Sequence, residues 1–71
     1  MLIDSLIRMG QQIARNNAAL PREQAVARIA GHLRSFWTPA MIAEMSGYAA
    51  GHSDELDPLL VDALSALGRY N

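Results

Sequence analysis

The chain has 71 residues, six of them basic and seven acidic, a net charge of −1 and no Cys. A chain this short is one small domain that buries only about 60% of its unfolded surface, and without Cys it can draw on neither disulfides nor thiolate metal sites. The charge balance excludes the concentrated basic face of a nucleic-acid binder, and all six basic residues are Arg.

The first element predicted is a helix over about 2–18. Leu2, Leu6, Met9 and Ile13 fall on one stripe, and Ile3, Ile7, Ala14 and Ala18 on a second about 100° round. Together they cover about half the circumference. Either this helix is central and flanked by two neighbours, or the second stripe is a docking surface for another polypeptide.

A second helix is predicted over about 21–37, with Pro21 at its first position, where a missing N–H is harmless. Val26, Ile29, Ala30, Leu33 and Trp37 share one face, Ala25, His32 and Phe36 flank it, and Gln24, Arg28, Gly31 and Ser35 lie opposite. Gly31 in mid-helix costs about 1 kcal/mol against Ala, so it either answers a packing need, such as close approach of another backbone, or is simply tolerated. Thr38 is then an N-cap and Pro39 the first residue of a third helix over about 39–48. Gly47, Gly51, Ser53, Asp54 and Glu55 read as a loop. Asp57-Pro58 repeats the cap-then-Pro device and opens a fourth helix, about 58–67, whose stripe is Leu60, Ala63, Leu64 and Leu67. Gly68 is placed to close it and Arg69-Tyr70-Asn71 to fray. The fold class is all-α, a single-domain bundle of three to four short helices over 1–71.

Catalytic constellations are lacking. No Ser stands in an elbow motif such as GxSxG, and no Gly-rich phosphate loop follows a strand. Capping accounts for Asp57, solvation for Asp54 and Glu55, and i,i+4 pairing for Asp4 and Arg8. His32 and His52 share no ligand spacing, so no metal site is expected. Met1-Leu2-Ile3 meets Asp4 with no basic region before it, so no secretory signal is expected. No apolar run approaches the ~20 residues of a membrane span. The reading is a cytoplasmic protein that gains stability by association, without membrane or nucleic-acid partners.

The scarce aromatics gather at the second corner, with the only Trp and the only Phe adjacent as Phe36-Trp37. Trp37 is a core residue by its face, or an interface anchor with Phe36. His32 either bonds locally or meets a partner. Arg34 is solvated or grips a partner carboxylate bidentately. Met41 and Met45 suit a core or a contact surface.

Ile29-Ala30-Gly31-His32-Leu33-Arg34-Ser35-Phe36-Trp37-Thr38-Pro39-Ala40-Met41 resembles the I-A-x-H-L-R-x-F-W-x-P-R-M pattern of a known family, the delta subunit of the cytoplasmic, NAD-dependent, molybdenum-containing formate dehydrogenases. Arg8-Met9-Gly10-Gln11-Gln12-Ile13-Ala14-Arg15 and Leu56-Asp57-Pro58-Leu59 are similar to further stretches of it. Ala40 stands where that family usually has Arg. The resemblance implies a non-catalytic accessory subunit with no redox centre of its own. It would dock on the catalytic alpha subunit, with beta and gamma subunits in the same complex, to support assembly, stability and the insertion or retention of the molybdenum cofactor. Molybdenum bis-guanine-dinucleotide, iron–sulfur clusters and FMN then belong to the partner subunits. The alternatives are a free assembly chaperone and a homo-oligomeric module unrelated to the enzyme. The residues assigned to the partner contact are His32, Arg34, Phe36, Trp37, Pro39 and Met41, with Ile3 and Ile7 of the first helix.

Overall fold

The computed structural model describes residues 2–68. Among them lie four α-helices, α1 (Ile3–Asn16), α2 (Arg22–Phe36), α3 (Pro39–His52) and α4 (Pro58–Gly68), with a 3-10 turn at Ser53–Glu55 and no strand. The expected fraying of 69–71 lies outside the described residues.

The main packing is α2 against α4, while α1 rests on α3 and α4 and touches α2 little. Leu6, Ile29, Leu33, Met45 and Leu60 are fully buried at the centre. All four stripe residues of α4, Leu60, Ala63, Leu64 and Leu67, are in the core. An Arg22–Asp62 ion pair spans α2 and α4 at the surface.

Two of the three Pro-based helix starts are made as the sequence predicts. Met41 N–H donates to Thr38 Oγ1 at 3.2 Å, and Leu59 N–H donates to Asp57 Oδ1 at 2.9 Å. Each satisfies an amide that has no carbonyl to meet inside its own helix. Pro21 differs, sitting at the N-cap with ψ 146° rather than at the first helical position. Its carbonyl accepts the first helical bond, from Ala25 N–H at 2.9 Å. Helix α1 ends at Asn16, two residues before the expected 18, because the Asn17 side chain takes the Ile13 carbonyl at 2.8 Å and the last turn tightens.

The predicted loop after 48 is instead helix as far as His52. Met45 and Ala49 are buried on this helix, and their burial outweighs the low propensity of Gly47 and Gly51. The end is fastened by side chains. Tyr48 and His52 stack with centroids 4.3 Å apart, His52 Nδ1 lies 3.2 Å from the Tyr48 carbonyl, and Tyr48 Oη–H donates to Glu55 Oε1 at 3.0 Å.

The buried face of α1 runs through Leu6, Gly10 and Ala14. Gly10, not Gly31, is the glycine with a packing reason. A Cβ at Gly10 would stand 2.9 Å from Leu60 Cδ2, whereas one at Gly31 meets nothing within 4 Å. The core line thus runs between the two expected stripes, taking Leu6 from the first and Ala14 from the second; Ile3 and Ile7 are half-buried against it, Ala18 is exposed, and Leu2 and Met9 are the exposed large apolar residues of α1 and the residue before it. Gln11 ties α1 to the start of α4 by accepting Asp57 N–H at 2.8 Å.

Two predictions follow from this packing. Gly31→Ala and Gly47→Ala, with open space around them, are expected to raise stability by about 0.5–1 kcal/mol each. Gly10→Ala is expected to lower it by about 1 kcal/mol, because crowding the fully buried Leu60 exceeds the propensity gain. Urea denaturation of the three variants reads both signs. The second concerns Tyr48, whose hydroxyl is held above its ordinary pKa of 10.0 first by the bond it donates to Glu55, then by desolvation and the Glu55 charge. A raised folded-state value means that this contribution to stability is present below pH 10 and is lost as pH rises through the higher value. Absorbance titration in a Tyr70→Phe background is expected to show Glu55→Gln moving Tyr48 back toward its ordinary value.

Candidate partner interface

The corner between α2 and α3 is built by two extended residues. Trp37 has φ −98°, ψ 146° and Thr38 φ −73°, ψ 158°, and Thr38 is held there because the residue before Pro39 avoids helical backbone. Trp37 N–H still donates to the Leu33 carbonyl at 2.8 Å, which closes α2. At this point the indole turns inward and is 7% exposed. Phe36, about 100° round the helix, is forced outward and is 73% exposed. One turn back on that side His32 meets it, ring centroids 4.7 Å apart and tilted by 40°.

Because α1 barely packs on α2, a groove of about 580 Å³ stays open between them. Met9 and Ile13 form its α1 wall, His32 and Phe36 its α2 wall, Trp37 and Met41 the rest of its apolar lining. Arg8 and Gln12 supply its polar edge, and no lining residue is acidic. Gln12 is occupied, accepting from Arg15 at 2.8 Å and donating to Asn16 Oδ1 at 3.2 Å. Arg8 makes no ion pair with a described residue.

Of the residues predicted to meet a partner, the fold brings His32, Phe36, Trp37 and Met41 together in this groove. Trp37 is part of the core there and contributes one edge, so it is not an exposed anchor. Arg34 and Pro39 line a separate depression beside Ile42 and Leu67. Ile3 and Ile7 pack on the core and lie outside the groove. Ala40 is exposed in the first turn of α3. Sequence reasoning missed Arg8, Met9, Gln12 and Ile13. Met9 and Ile13 were visible as apolar stripe members, but the stripe was divided without Gly10, which shifts the buried line of α1 away from Met9.

The profile of the family described as NADH-dependant formate dehydrogenase delta subunit FdsD matches residues 5–64. The chain belongs to that family. No curated protein and no solved structure matches it. The match to the delta-subunit family covers most of α1, the aromatic corner and most of α4, so it spans every wall of the groove. Among the described residues of this delta subunit, no helix is long and apolar enough to cross a membrane.

The corner separates two neighbouring aromatics by role. Trp37→Ala is expected to cost about 3–5 kcal/mol, enough to unfold much of the population at this size. Phe36→Ala is expected to leave stability within about 0.5 kcal/mol of the parent. Urea denaturation followed by circular dichroism checks both, and equal losses would contradict the inward and outward assignment.

Proposed function

We propose that this chain is a non-catalytic accessory subunit of a cytoplasmic NADH-dependent formate dehydrogenase. It docks on the catalytic subunit, in a complex that also holds the beta and gamma subunits, and supports assembly, stability and retention of the molybdenum cofactor. The observation that carries the reading is Phe36, a large aromatic left 73% exposed beside an open apolar groove in a chain of this family. Partly exposed aromatics next to a pocket are the residues that anchor protein interfaces.

The donor set supports an accessory role. Iron–sulfur clusters need thiolate ligands, and the chain has no Cys. Among the described residues no three His, Asp or Glu side chains converge as metal ligands would. On this reading, interconversion of formate and NAD with carbon dioxide and NADH takes place in the partner subunits.

Native mass spectrometry of the chain co-expressed with the other formate dehydrogenase subunits, with molybdenum quantified, tests the reading. One stable copy per catalytic subunit and higher molybdenum occupancy than in its absence are the expected results. A catalytic subunit that assembles fully loaded without the chain would overturn the accessory role. A chain that raises loading yet is missing from the mature complex would replace the subunit reading with that of a free chaperone.

A further inference from the structure

We propose that the groove between α1 and the end of α2 receives an apolar side chain of the catalytic subunit, carried on a segment with a carboxylate that meets Arg8. The inference rests on the docking reading above and specifies the chemistry of what docks. The groove interior offers Met9, Ile13, Phe36, Trp37 and Met41. Two thioethers and two aromatics form an adaptable apolar lining that suits an aliphatic or aromatic anchor.

The charge at the edge selects among apolar segments. Arg8 is the one formally charged residue of the lining, and no carboxylate lines the groove. Arg8 is exposed and has no ion-pair partner among the described residues, although the chain as a whole carries a charge of −1. A guanidinium at the edge of an apolar recess is satisfied bidentately by Asp or Glu, and it disfavours a basic segment. The same edge argues against a second copy of this chain. Two-fold symmetry would place groove on groove, with no acid in either lining to meet the two Arg8 side chains.

The test uses the co-expressed complex. A photo-crosslinking benzoyl-phenylalanine is placed at position 36, and at exposed position 65 of α4 as a control. Arg8→Gln is compared with Gln24→Glu, which changes net charge equally at an exposed site about two turns before His32. Position 36 is expected to crosslink to a catalytic-subunit segment that carries Asp or Glu beside its apolar contact, and position 65 is not. Arg8→Gln is expected to weaken the complex roughly fivefold and flatten its salt dependence, Arg8→Lys to recover part of that loss, and Gln24→Glu to stay near the parent. If the complex forms but position 36 crosslinks to a second copy or to a segment without acids, the groove assignment fails and docking stands. The same holds if Arg8→Gln and Gln24→Glu behave alike. If no complex forms with the parent chain, both fail.

Discussion

Burial of Trp37 at the end of α2 is the constraint on which the rest of the surface depends. The last turn of α2 can send only one of two adjacent rings into a core bounded by Leu33, Met45 and Leu60. The backbone settles which. The Trp37 amide is still bonded to Leu33, and the extended Thr38 before Pro39 turns the chain away immediately afterwards. With Trp37 inward, Phe36 points outward and meets His32 at a tilt, and α3 leaves at an angle that brings Met41 to the same recess. The apolar groove is thus a by-product of closing the corner on the larger ring.

The other wall is set by a contact in which a side chain is missing. Gly10 lets α1 settle close on Leu60, where a Cβ would stand 2.9 Å from Leu60 Cδ2 and force that side chain to shift. The bond from Asp57 N–H to Gln11 holds α1 in register with the start of α4. That docking commits the Leu6–Gly10–Ala14 line to the core, and it leaves Met9 and Ile13 toward α2, on which α1 packs only lightly. The groove exists because α1 packs more on α3 and α4 than on α2.

Much of this was legible in the chain. Thr38-Pro39 and Asp57-Pro58 combine a capping oxygen with a residue that needs no amide partner, a pairing with few alternatives, and both corners form as read. The stripe Leu60, Ala63, Leu64 and Leu67 was equally unambiguous, since α4 has one apolar side to bury. What escaped were decisions made by tertiary contact. Gly47 and Gly51 look like breakers, yet the burial of Met45 and Ala49 carries α3 through them to His52. Gly10 and Gly31 are alike in sequence, and only the position of Leu60 makes one of them a contact point. The same contact moved Ile3 and Ile7 to the core side and Met9 to the groove. The aromatic corner was found and its outer wall on α1 was not, because periodicity reports a face without reporting what covers it.

The energetic balance of so small a domain gives the exposed ring its meaning. Burying a Phe side chain fully is worth about 1.5–3 kcal/mol, a substantial share of the roughly 0.05–0.15 kcal/mol per residue by which domains are stable. A chain that draws on no disulfide forgoes that gain at Phe36 and places Met9 and Met41 beside it, with Arg8 at the edge. On the docking reading the gain is not lost but is realised on binding, when the ring, the thioethers and the guanidinium are covered together. Stability of the subunit and affinity for its partner then come from the same surface, so occupancy of the groove also selects for the assembled state.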